Sequence, residues 1–254
     1  MILLHGSSGI GGTDSLTDYS RQFLNGLGVA TFVIDSFSDR GITQTLTDQS
    51  RLGRLQAVYD AYRALELISE HPRIDRDRIG VIGVSRGAAS SMFSAISRFE
   101  AMYGAKNGAR FALHVGFSTP CARQYAGRDE TTGSPILILH GEADDIALLD
   151  ACQKYISQLQ QNGVEARLIS YPGVHHAFDS PKVPNMVLKT AQNPSKCRVG
   201  ENDEHRLVNM DTGEPFAWDD SCVTRGFTLG HDASASEASY RELGEFVRRQ
   251  FGLD

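Results

Sequence analysis

Ile79-Gly80-Val81-Ile82-Gly83-Val84-Ser85-Arg86-Gly87-Ala88-Ala89-Ser90-Ser91 is the stretch on which the fold turns. Residues 79–84 form a continuous run of apolar residues and glycine, as expected for a strand covered on both faces of a parallel sheet. Residues 88–103 carry a helical pattern. Between them Gly83-Val84-Ser85-Arg86-Gly87 fits G-x-S-x-G, in the strand-then-helix context that this motif requires. The chain must reverse sharply there, with the serine in a strained conformation. A side chain at either flanking glycine would collide with a neighbouring element. The small residues Ala88, Ala89, Ser90 and Ser91 let the helix lie close to the sheet. Ser85 then stands at the C-terminal edge of the sheet with a helix N-terminus behind it, which favours negative charge. Ser85 is the candidate nucleophile.

Outward from this turn, short apolar runs alternate with longer amphipathic ones. Strands are expected at 2–5, 30–35, 79–84, 111–116, 136–140 and 166–171. The clearest helix places Leu52, Leu55, Val58, Tyr59, Tyr62, Leu65 and Ile68 on one stripe, spaced by threes and fours. Others are expected at 16–27, 88–103, 147–161 and 237–251. The alternation predicts an α/β fold with a mostly parallel sheet flanked by helices. The chain opens inside a strand, so the first strands of such a fold are expected to be missing, or the first strand to lie near a sheet edge. From about 180 to 235 the rhythm fails. This stretch holds four prolines, both late cysteines and eight acids, without the ordered Asp-x-Asp-x-Asp-Gly spacing of a calcium loop. It is expected to be an irregular excursion from a single domain spanning 1–254.

A chain of 254 residues can bury a large core without a metal or disulfide staple. A net charge of −6 argues against a nucleic-acid footprint, which needs a clustered basic face. No apolar run approaches a membrane span, and no signal peptide is visible. A cytoplasmic location is therefore expected, or a periplasmic or secreted one if the cysteines are bridged. None of Cys121, Cys152, Cys197 and Cys222 forms a Cys-x-x-Cys pair, so no metal ligand set is read. A Cys197–Cys222 bridge is a candidate, and Cys121–Cys152 a second; the alternative is four free thiols.

A serine hydroxyl needs a base to take its proton. His175 and His176 follow the last core strand, in Tyr171-Pro172-Gly173-Val174-His175-His176-Ala177-Phe178. Ligands and reactive groups gather at that edge of a parallel sheet. The strand before it runs into His140-Gly141-Glu142-Ala143-Asp144-Asp145, which offers two acids to orient the imidazole. The order serine, acid, histidine is that of the α/β-hydrolases. The first strand ends in His5-Gly6, a turn whose backbone amides can face a developing oxyanion. Arg40 and Arg123, each following a strand, are candidate contacts for an anionic substrate.

Taken together, His5-Gly6, Asp35-Ser36-Phe37 with Arg40-Gly41, the serine turn, His140-Gly-x-x-Asp144 and the Tyr-Pro-Gly-x-His-His-Ala-Phe stretch resemble the dienelactone hydrolase family, and most closely its larger serine members. The likeness spans residues 2–178 and, more weakly, the last helix. It implies an α/β-hydrolase fold and cleavage of small carboxylic esters or lactones without a cofactor. It maps the base onto His176 rather than His175, the acid onto Asp144 rather than Asp145, and the oxyanion donors onto the backbone amides of Ser7 and Arg86. The family's namesakes carry a cysteine nucleophile, a glutamate in the first turn and an arginine four residues past the histidine. Ser85, Gly6 and Ser180 stand there in this chain.

Two rivals belong to other classes. Gly6-Ser7-Ser8-Gly9-Ile10-Gly11-Gly12 before Asp35 suggests an NAD(P)-dependent short-chain dehydrogenase-like protein. However, no tyrosine has a lysine four residues on. The second rival is a hydrolase fold kept only for binding. The partners expected are a small ester or lactone, with no nucleic acid and no membrane. The oligomeric state is open.

Overall fold

The computed structural model describes residues 1–11 and 18–253. Residues 16 and 17 of the expected first helix, and Gly12 of the glycine-rich turn, lie outside them. The body is a six-stranded sheet in the order β2-β1-β3-β4-β5-β6. Its strands are β1 (Ile2–Leu4), β2 (Phe32–Ile34), β3 (Gly80–Val84), β4 (Leu113–Phe117), β5 (Ile136–Gly141) and β6 (Ala166–Tyr171). Every pairing is parallel. Strand β2 lies at the edge, next to β1.

Side chains alternate across the sheet, so each strand feeds two cores. On one face Leu3, Ile82, Phe117 and Leu139 pack against α6 (Ala233–Phe251) through Leu243, Phe246 and Val247. On this side too lies α1 (Tyr19–Gly26), with Leu24 buried. On the other face Ile2, Leu4 and Val81 meet α2 (Arg54–Ser69), and Ile136 and Ile138 meet α5 (Leu149–Gln161). Between them runs α3 (Arg86–Phe93), every residue of which is buried.

The run 88–103, expected as one helix, is two. After Phe93 the amides of Ala95 and Ile96 bond three residues back, tightening the last turn. Ile96 then adopts an extended conformation, and α4 (Ser97–Tyr103) begins anew. Periodicity did not reveal the break because Phe93, Ala95, Ile96 and Phe99 are all apolar and buried on both sides of it.

The excursion is more ordered than its sequence suggests. It forms three antiparallel ribbons. Strand β7 (Met186–Val187) pairs with β12 (Thr228–Leu229), β8 (Gln192–Asn193) with β11 (Thr224–Arg225), and β9 (Val199–Glu201) with β10 (Leu207–Asn209). Both candidate disulfides are formed. Cys197–Cys222 closes the excursion on itself, and Cys121–Cys152 ties the segment after β4 to α5. The reading of four free thiols is thereby corrected. Among the described residues no helix is long and apolar enough to cross a membrane.

Candidate active site

Ser85 sits between β3 and α3 with φ 52° and ψ −113°, a strained conformation for a residue with a side chain. The flanking glycines show why the turn can exist. A Cβ on Gly83 would lie 2.1 Å from the carbonyl carbon of Gly87, and one on Gly87 would lie 2.2 Å from the carbonyl oxygen of Leu4 in β1. Any larger residue would push α3 off the sheet or collapse the turn. The Ser85 amide continues the sheet by donating to Phe117 O at 2.9 Å.

The Ser85 hydroxyl lies 2.9 Å from His176 Nε2, and His176 Nδ1 lies 2.7 Å from Asp144 Oδ2. A carboxylate can only accept, so Nδ1 carries the proton and Nε2 is left to accept the serine O–H. Asp144 Oδ1 accepts from the amides of Ile146 and Ala147 at 3.1 and 2.8 Å. Burial pushes the Asp144 carboxyl up, but the charge and hydrogen bond of His176, with help from His140 and the Ala147 amide, more than offset this. The net shift is below the usual carboxylate range. Asp144 therefore stays ionised beside the imidazole.

The paired alternatives separate cleanly. His175 turns away and donates from Nδ1 to Ala143 O at 3.0 Å. Asp145 clamps the excursion, accepting from the amide and hydroxyl of Thr228 at 2.8 and 2.9 Å. The histidine loop is itself paired with the excursion: His176 bridges Leu229, and Gly230 donates its amide to His176 O at 3.2 Å.

The turn after β1 is held by His5, which donates to Gly6 O at 2.8 Å and accepts the Ser36 amide at 3.2 Å. Ser7 lines the same cavity as Ser85 and His176, of about 80 Å³. Arg86 opens α3, where an amide has no intrahelical acceptor. The residue is 2 % exposed, and its guanidinium donates to Gln49 Oε1 at 3.0 Å, while Gln49 Nε2 donates to Ser7 Oγ at 3.0 Å. One glutamine thus couples the two residues expected to supply oxyanion donors. Burial lowers the Arg86 pKa to about 10.

Two contributors, Gln49 and Arg54, have little signature in the sequence, since other polar residues surround them around the start of α2. His140 accepts the Thr119 amide at 3.2 Å and donates to Ala147 O at 2.6 Å, bracing the loop that carries Asp144. Burial lowers its pKa. Arg40 is a correction. It makes two 2.7 Å hydrogen bonds to Asp60 and one to Ser36 O, so its charge is spent on a surface pair rather than on a substrate. Asp35, the acid of the dinucleotide reading, accepts the amides of Phe37 and Ser38 and shapes that same loop.

A parallel sheet with a serine on the turn after β3, an acid after β5 and a histidine after β6 defines an α/β-hydrolase fold. Residues 19–201 match the family model described as the dienelactone hydrolase family, and the chain belongs to that family. It is similar to a probable carboxylesterase SOBER1-like protein of Arabidopsis thaliana, 27% identical over 110 residues, covering 43% of this chain and 40% of that protein. The match thus spans less than half the length of this curated relative. Among solved structures, esterase 2 of Thermogutta terrifontis phosphonylated by cyclosarin superposes with a TM-score of 0.63 at 12% identity, over 99% of this chain and 83% of that one. A dienelactone hydrolase-like promiscuous phosphotriesterase, P91, from metagenomic libraries gives 0.58 at 17% identity, over 98% and 85%. At such identities these two establish the shared fold.

Proposed function

We propose that the protein is a serine hydrolase that cleaves small carboxylic esters or lactones through an acyl-enzyme on Ser85. One observation carries this reading: the unbroken hydrogen-bond line from Ser85 Oγ through His176 to Asp144, at 2.9 and 2.7 Å. Ser85 Oγ attacks the carbonyl carbon as its proton passes to His176 Nε2. Asp144 fixes the tautomer and stabilises the imidazolium without taking the proton itself. The amides of Ser7 and Arg86 face the developing oxyanion; losing one such donor typically costs about 100- to 1000-fold in rate. His176 then protonates the leaving alkoxide. Water, deprotonated by the same imidazole, releases the acid and restores the serine. None of these steps requires a cofactor or metal.

The apolar wall supports a small acyl group. Phe227 packs edge-on to His176 at 5.4 Å, and Leu188, Leu229, Leu46 and Ile146 close around it. The two disulfides favour an oxidising compartment. Thiol titration with and without reductant tests this, and four titratable thiols in the untreated protein would remove it.

A fluorophosphonate probe followed by peptide mass mapping tests the chemistry. An adduct on the Ser85 peptide, absent in Ser85→Ala, is the expected result. An unlabelled Ser85 in folded protein would sink the reading and favour a binding protein on the same fold. A panel of p-nitrophenyl esters of rising chain length, run beside lactones, reads the acyl preference.

A further inference from the structure

A second chamber of about 70 Å³ adjoins the first and shares Arg54, Pro120, Ile146 and Pro194 with it. Two arginines line it, Arg54 and Arg123, and no aspartate or glutamate does. Arg54 is the first residue of α2, a 16-residue helix with no acid in its first turn. A cation there opposes the helix dipole. Its Nη1 is buried with no hydrogen-bond partner, and no carboxylate pairs with it among the described residues. Its guanidinium carbon lies 5.8 Å from the Trp218 ring centre, and that of Arg123 lies 6.0 Å from the same ring. Burial, then the nearby charges of Arg86 and Arg123, lower the Arg54 pKa well below its ordinary value.

This arrangement is costly in a protein with a net negative charge. A buried ion without a counterion loses several kcal/mol of hydration that neighbouring charges of the same sign do not return. Aromatic faces recover only part of that loss. Several other arginines are paired with acids, Arg40 with Asp60, Arg98 with Glu201 and Arg110 with Glu100. The buried Arg86 and half-buried Arg128 are satisfied by glutamine and backbone oxygens. Glu201, in the groove outside the second chamber, is spent on Arg98 and the Ala126 amide. The acid in the wall of the first chamber is Asp179, with Asp144 behind His176. With Asp179 set against Arg54 in the first chamber, and Arg54 and Arg123 without an acid in the second, the second chamber carries the greater excess of positive charge.

We propose that Arg54 and Arg123 form a subsite for an oxyanion carried by the substrate, so that the ester cleaved at Ser85 has a carboxylate or phosphate at the far end of one arm. The planar fork of a guanidinium matches either group with two parallel hydrogen bonds. The anion also offsets the positive end of α2, where Arg54 stands. Cys121 and Cys197 line this chamber, so both disulfides hold its walls in place.

This inference rests on Ser85 as the nucleophile, and a ratio separates the two. p-Nitrophenyl esters of ω-carboxy acids of increasing length are compared with their methyl-capped counterparts, and ω-phosphonooxy esters with their dimethyl-capped ones. The expected result is a kcat/KM at least tenfold higher for a charged ester than for its capped partner, carried mainly by KM. The larger ratio identifies the oxyanion. Arg54→Gln and, separately, Arg123→Gln should bring the ratio towards one, while Arg54→Lys keeps part of it. Equal hydrolysis of charged and capped esters by the wild type overturns the subsite, as does an equal loss on both in the two glutamine variants. If no ester is cleaved, the Ser85 reading fails first.

Discussion

The C-terminal edge of the parallel sheet and the ribboned excursion face each other across one cavity, yet they are built differently. The sheet edge holds Ser85, Asp144 and His176 on turns that follow β3, β5 and β6, each strand buried and parallel to its neighbours. Its geometry comes from many backbone hydrogen bonds and two packed faces. The excursion holds Leu188, Phe227 and Leu229 on strands and turns of only a few residues, and is closed by a disulfide. In the proposed function the rigid region sets the reaction, and the stapled region sets what fits.

That division can be broken by substitution. The largest effect falls on the sheet edge: Ser85→Ala should lower kcat by about 10⁶, and Asp144→Asn by about 10⁴, on any ester that the wild type turns over. Near-native rates for Ser85→Ala in a steady-state assay would end the assignment. Next, removing the staple with Cys197→Ser and Cys222→Ser should cost about 3 kcal/mol of unfolding free energy in the chain-entropy model. Urea unfolding checks this, and an unchanged midpoint would mean that the ribbons stand without it.

A comparable effect appears only in acid. His114, on β4 and fully enclosed against α3, donates from Nδ1 to Ser91 O at 2.9 Å, and has a pKa lowered to about 4 by burial. Between that value and about 6.5 the unfolded chain binds a proton that the folded one refuses, so stability falls as pH drops through this window. The difference reaches about 3 kcal/mol near pH 4. His5 and His140, whose pKa values are also lowered by burial, act in the same direction. Unfolding free energies of His114→Gln measured from pH 7 to 4 should be correspondingly flatter than those of the wild type; parallel curves would reject the proton account.

The smallest effect belongs to the excursion. Phe227→Ala should change kcat/KM by about tenfold and shift preference towards longer acyl chains, because an added or missing methylene in an apolar pocket is worth that order. A uniform loss across chain lengths would instead place Phe227 in support of His176.

What the sequence discloses follows the same line. Body strands were legible because burial on both faces leaves continuous apolar runs, and β6 is found at the residues expected. The serine turn was legible because steric closeness demands glycine at two fixed places. The ribbons were not, since two or three residues cannot display a period. The choice between Asp144 and Asp145, or between His175 and His176, needed a family resemblance because each pair shares a turn and differs only in direction. Arg40 misled for a related reason: its partner Asp60 lies 20 residues on, on a helix whose facing side no spacing reveals.

The tie between His176 and Leu229 has an evolutionary corollary. Because the insertion is laced to the very loop that bears the imidazole, it cannot behave as an interchangeable cartridge. A relative's insert grafted here would bring a new substrate profile and, with it, a displaced proton carrier. Diversification within such a lineage is better served by altering side chains inside the ribbons than by trading the ribbons wholesale.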